Sequence, residues 1–149
     1  MLARLMRLDR VEAMAIWVCG EALIDKISSA GAVREIPGGG PANTAHALAR
    51  LAIENEFIGG LSHDAYGQMM REQFIAAGVG LHFTPTHELP TCVADVTIAA
   101  DGSASYQFFI DGTATFAYEK KNLPDITNAD VDAIYFGTLA TIVEPGATV

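Results

Sequence analysis

The stretch from Ile36 to Leu51 reads IPGGGPANTAHALARL, three glycines and a proline running directly into an alanine-rich pattern. Pro41 suits a first helical turn, where a missing N–H leaves no bond unmade, and Ala42, Ala45, Ala47, Leu48, Ala49 and Leu51 continue a helix from it. The helix therefore starts hard against Gly38, Gly39 and Gly40, with Asn43 in its first turn. Residues without side chains either permit a tight turn, with Asn43 solvating an early helical N–H, or let a backbone come close to a polar ligand. A P-loop is excluded, because no lysine followed by serine or threonine stands at the required distance. A dinucleotide fingerprint is matched only in part, since Gly38-x-Gly40 is followed by Asn43 where a third glycine belongs.

Working outward, Ala15 to Cys19 is a short apolar run ended by Gly20, and Ala22 to Ile27 is a second run interrupted by a single acid, Asp25. Glu56 to Leu61 reads as a strand, and Asp64 as the N-cap of a helix through Ala77 that Gly78 stops. Thr91 to Ala100 and Ser103 to Ile110 are β-rich and meet at Asp101-Gly102, a hairpin signal. A short helical turn at Asn128 to Val131 precedes a buried strand, Ala133 to Gly137. Strands alternating with helices imply a parallel sheet covered by helices, and the hairpin implies an appended flap. Ligands of such sheets bind beyond the carboxyl ends of the strands, where the glycine run lies.

The chain has 149 residues, half of them apolar, enough for one domain with its own core. Nine Lys and Arg against eighteen Asp and Glu give a net charge of −9, which argues against nucleic acid as a partner. Cys19 and Cys92 stand far apart and outside any C-x-x-C spacing, so neither a disulfide framework nor a zinc site is expected, and a cytoplasmic setting fits. His46, His63, His82 and His87 show no metal-ligand spacing, and no metal site is expected. Residues 1–13, with Arg4, Arg7 and Arg10 and leucines on one helical face, read as an N-terminal extension without the apolar run of an export signal. No apolar run is long enough to span a membrane.

Asp25 narrows the choice for the glycines. A lone carboxylate in an apolar strand is costly to bury unless something bonds to it, and a polyhydroxyl ligand supplies donors to both its oxygens. The Asn43 carboxamide offers donors and an acceptor, so the two together suit adjacent hydroxyls of a neutral polyol. Tyr106, Phe108 and Phe109 in the flap either shield such a ligand or pack on the flap itself.

PGGGPANTAHALARL followed by FIGGLSHDAYGQ resembles the first signature of the ribokinase-like, or PfkB, family of carbohydrate kinases. From Ile16 onward, GEALIDKI resembles that family's opening strand, Thr91 to Ile110 its lid, and AIYFGTLATIVEPGA a segment of its fructokinase-like branch. The resemblance implies that residues 14–149 are the N-terminal portion of a ribokinase-like α/β domain, a three-layer parallel sheet flanked by helices, truncated here. It also implies a small antiparallel β lid formed by strands about 22–37 and 91–111. It assigns sugar binding to Asp25, Gly39, Gly40 and Asn43, makes Asp64 and Gly67 a structural turn, and places Phe108 and Ile110 in the lid. Ile110 stands where relatives often carry arginine, which argues against acidic sugars. The implied cofactors are ATP and Mg²⁺, the implied partner a sugar, and the implied assembly a homodimer through the lid strands.

The family's catalytic base lies in a late D-T-x-G-A-G-D segment, and no such segment occurs before Val149. This portion is expected to hold substrate without a catalytic residue of its own, to be inactive alone, and to leave the Ala133 to Gly137 strand with an apolar edge. The reading is a fructokinase-like sugar kinase. A nucleoside or ketodeoxygluconate kinase of the same family, or a non-catalytic sugar-binding or dimerising module, is the alternative.

Overall fold

In the computed structural model the strands form a parallel three-stranded body sheet, a mixed four-stranded sheet and one short parallel pair, Leu61–Ser62 with Thr86–His87. The structure describes residues 15–29, 31–128, 130–137 and 139–148. The expected extension over residues 1–13 lies outside them, as does Ala129 within the helical turn expected at Asn128 to Val131. That turn is instead a 3-10 turn at Ile126–Asn128.

The elements in chain order are β1 (Ala15–Cys19), β2 (Leu23–Ser29), β3 (Ala32–Gly38), α1 (Gly40–Arg50), β4 (Glu54–Ile58), β5 (Leu61–Ser62) and α2 (Ala65–Ala77). They continue with β6 (Thr86–His87), β7 (Val93–Ile98), β8 (Ala104–Phe109) and β9 (Ala133–Phe136). The body sheet has the order β4-β1-β9 and is wholly parallel, Val18 of β1 standing between Phe57 and Tyr135. Its apolar residues meet those of α1 and α2 in one cluster, where Val18, Ala45, Phe57, Met70 and Phe74 are buried. Phe57 stacks on Phe74 with ring centroids 4.7 Å apart, joining sheet to helix. A parallel sheet flanked by helices is therefore present. β9 is paired on one side only among the described residues, and its Tyr135 and Phe136 are exposed. No helix among the described residues is long and apolar enough to cross a membrane.

Four strands form the second sheet, in the order β3-β2-β7-β8. Its outer pairs are antiparallel and its central pair, β2 with β7, is parallel, so the lid is a mixed sheet and not an antiparallel flap. The β7–β8 hairpin forms with Asp101-Gly102 in its turn, as expected. The turn runs from Ala99 to Gly102, with Gly102 N–H donating to the Ala99 carbonyl at 2.9 Å, and only Gly102 is left-handed, at φ 84°. The strand expected at Glu56 to Leu61 is broken at Gly59-Gly60. At Gly60 a Cβ would run into the Ala114 carbonyl, and at Gly59 into the Gly20 carbonyl.

Helix α2 starts as its sequence predicts. Asp64 Oδ1 accepts from Gly67 N–H at 2.8 Å, and Gly78 closes the helix at φ 87°. The same carboxylate accepts from Thr91 Oγ1 at 2.7 Å and Thr91 N–H at 2.8 Å. Burial pushes the Asp64 carboxyl up, but these hydrogen bonds outweigh it and hold its pKa below the ordinary value. A depressed folded-state pKa adds stability that is complete above the unfolded value and disappears as pH falls through the folded one. Asp64→Ala is therefore expected to cost more stability at pH 6 than in acid. In urea titrations the gap between wild type and variant should narrow once the pH drops below about 4.

Candidate functional site

The site is built where β3 turns into α1. Leu23 of β2 pairs with Gly38, and Asp25 with Ile36. The Asp25 carboxylate is folded against Gly38, in the space a Cβ there would need. Gly39 follows at φ 103°, a backbone that favours glycine, and a Cβ on it would lie 2.5 Å from the Glu21 carbonyl oxygen. Gly40 opens the helix with room to spare, the nearest atoms to an added Cβ being Tyr135 Oη at 3.8 Å and Glu21 Oε1 at 3.9 Å. Gly39 is the N-cap and brings no side chain to it. Asn43 does not cap the helix. Its N–H is already used by the Gly39 carbonyl at 3.0 Å, and its exposed carboxamide has no bonded partner among the described residues.

Asp25 sits half-buried on one face of the lid sheet. Strand register places Ile36, Asp25, Ala94 and Phe108 in one row across that face. Phe108 is two strands from Asp25, roughly 10 Å by ordinary strand spacing. It stacks on Tyr106 at 6.1 Å, and both rings are exposed, 43% and 60%. Ile110, two residues on from Phe108, packs against a small apolar cluster of Leu23, Cys92, Ala94 and Phe116 at the lid base.

A cavity of about 370 Å³ opens beside the junction, lined among others by Gly38, Asn43, His46, Arg50, Gln73 and Phe74. His46 lies flat on Phe74 with centroids 4.8 Å apart, and burial, followed by the Arg50 charge, lowers its pKa. Asp25 supplies no atom to this wall; it stands behind Gly38. The structure thus brings Asp25, Gly38, Gly39 and Asn43 to one strand-to-helix turn, with Gly40 beside them and Phe108 across the lid face. No group of three or more His, Cys, Asp or Glu side chains converges as a metal site would require among the described residues.

Three participants escape a reading of the sequence. Glu21 is buried beneath the same turn, its Oε2 accepting from Ala140 N–H at 3.4 Å, although nothing in GEALIDKI separates it from a surface acid. His46 and Gln73 join through the α1–α2 contact, which no local pattern encodes.

Asp25 has no hydrogen-bond partner among the described residues, and burial raises its pKa. With the folded value above the unfolded one, stability falls as pH rises through that interval, and the ionised carboxylate opposes folding at neutral pH. Asp25→Asn is therefore expected to match or exceed the wild type in Tm at pH 7 without ligand. A clear loss of Tm would mean that the carboxylate is already satisfied within the protein.

A parallel body sheet flanked by helices, a second, mixed sheet and an acid and an amide at a side-chain-free strand-to-helix turn define an α/β protein. The family model described as pfkB family carbohydrate kinase matches residues 9–147. The chain belongs to that family. It is 33% identical over 135 residues to a fructokinase of Rhizobium leguminosarum bv. trifolii, a match covering 87% of this chain and 41% of the relative. It is 28% identical to a fructokinase of Escherichia coli, over 89% of this chain and 43% of the relative. The crystal structure of a fructokinase from Xylella fastidiosa superposes with a TM-score of 0.81 at 27% identity, over 90% of this chain and 45% of the other. The same enzyme with bound ATP gives 0.82 at 26%, over 91% and 45%. The chain therefore spans less than half the length of these relatives.

Proposed function

We propose that this chain forms the substrate-holding portion of an ATP-dependent sugar kinase that phosphorylates a hydroxyl of a neutral, fructose-like sugar. The observation that carries this reading is the unpaired Asp25 carboxylate lying against Gly38 at the turn that leads to Asn43. Its two oxygens accept from adjacent sugar hydroxyls, the Asn43 carboxamide reads a neighbouring one, and Gly39 and Gly40 let the ring approach the main chain. Phe108 on the Asp25 face of the lid excludes water from the bound sugar. These residues bind, orient and desolvate, which is most of what phosphoryl transfer asks of a protein.

The fructokinase names of the relatives and the ATP in the Xylella structure support the choice of nucleotide and sugar. When bound, ATP with Mg²⁺ supplies the phosphoryl group and offsets its charge. The described residues contain no carboxylate cluster for the metal, so no residue here is assigned to it and no step is derived through it. A homodimer through the lid is supported by the exposed Val33, Tyr106, Phe108 and Phe109 on that sheet. A cytoplasmic location agrees with two free cysteines whose thiols burial pushes up to about 11, beyond the range of reactive thiolates.

The test is calorimetric titration of fructose and of adenosine into the full chain that the gene encodes, with Asp25→Ala and Asn43→Ala beside the wild type. Losing a hydrogen bond to a charged group costs about 1.5–3 kcal/mol, so Asp25→Ala is expected to weaken fructose binding by roughly 10- to 100-fold. Unchanged fructose affinity in both variants, or binding of adenosine alone, refutes the reading.

A further inference from the structure

The lid meets the body at four crossings, and these are built in two different ways. β3 leaves the lid through Gly39 at φ 103°, and β8 leaves it shortly before Gly112 at φ 67°, where an added Cβ would touch nothing within 4 Å. The bases of the two central strands are tied by side chains. Thr91, two residues before β7, gives both its N–H and its hydroxyl to Asp64, the residue that caps α2. Thr115 is buried in the 3-10 turn Ala114–Phe116, and its hydroxyl donates to the Ala22 carbonyl at 3.0 Å, just before β2. The same oxygen accepts from Cys92 N–H at 3.4 Å, just before β7. Ile24 N–H then donates to the Cys92 carbonyl at 3.0 Å, joining the two strand bases to each other.

From this arrangement we infer that Asp64 and Thr115 are positioning residues that pin the bases of β2 and β7 to the body. The lid then swings about this fixed central pair while the glycine-bearing edge crossings yield. The inference rests on the reading above that this sheet covers a substrate. Asp64 cannot release Thr91 without exposing two donors at once, and Thr115 ties Ala22, Cys92 and its own turn through one oxygen. Because Asp25 lies three residues beyond Ala22 on the pinned strand, the pins also set where its carboxylate stands when the lid closes.

Two variants separate this role from a general contribution to folding. Asp64→Asn keeps the oxygen that caps Gly67 and accepts the Thr91 hydroxyl but turns an NH₂ toward the Thr91 N–H, so it breaks the main-chain half of the tie and spares the helix cap. Thr115→Val removes only the hydroxyl. Residue-resolved hydrogen exchange on the full encoded chain is expected to show Thr91, Cys92 and Ile24 exchanging about tenfold faster or more, with β1 and β4 within about twofold of wild type. Steady-state kinetics with fructose are expected to show KM rising by about fivefold or more with kcat nearly unchanged, because a loosened lid spends less time in the binding-competent position. Thr91→Ser, which keeps the hydroxyl, is expected to behave as wild type, and Thr91→Val, which removes the hydroxyl half of the tie, to speed exchange at the same strand base. Unchanged exchange at the three amides overturns the inference, as does acceleration spread evenly through β1 and β4. If the wild type neither binds nor phosphorylates sugar, the proposed function fails, and the exchange pattern still decides the pinning.

Discussion

The apposition of the Asp25 carboxylate and Gly38 is the contact on which the rest of the arrangement depends. It exists because β2 and β3 pair in a register that sets Asp25 opposite Ile36 and Gly38 opposite Leu23, which makes Asp25 and Gly38 diagonal neighbours on one face. A side chain at Gly38 would take the space the carboxylate fills. The same turn then needs a positive φ at Gly39 to swing the chain off the lid and into α1, clear of the Glu21 carbonyl. One short passage thereby sets the lid strand, the helix start and the unpaired acid in fixed relation. A carboxylate kept half-buried without a partner is a standing cost to the fold, and such costs are characteristic of sites that wait for a ligand.

The two sheets share one apolar anchor. The dense cluster around Val18, Phe57 and Phe74 is joined by Ile24 of β2 and Val93 of β7, and a smaller cluster around Leu23, Cys92 and Phe116 fills the lid base, while the aromatic residues of β8 stay exposed. Asp64 and Thr115 add directed hydrogen bonds to that packing at the crossing points, and such bonds fix orientation where apolar contact alone does not.

Much of this was legible in the sequence wherever the signal was local. Pro41, Asp64 and Gly78 mark helix ends by the chemistry of one or two residues, α1 starting at the first and α2 running between the other two. Asp25 stood out because a single acid in an apolar strand requires a reason. Non-local relations were not legible. The parallel pairing of β2 with β7 joins segments about seventy residues apart, so the lid read as an antiparallel flap. The break at Gly59-Gly60 comes from carbonyls of Gly20 and Ala114 arriving from elsewhere in the chain, and the adjacent residues do not announce it. Which of the three glycines lies against Asp25 is likewise a matter of register, and Ile110, a lid residue by its place in the sequence, packs at the lid base.

The most direct test of the account is a double-mutant cycle between Asp25 and Gly38, read as unfolding free energy in urea. Gly38→Ala places a methyl where the carboxylate lies, and at an ordinary negative φ the cost is steric, about 1–3 kcal/mol as for other overpacked sites. Combined with Asp25→Ala the clash disappears, so the account predicts strong coupling, the double variant being little worse than Asp25→Ala alone. Additive losses would contradict it, for then the two residues do not meet.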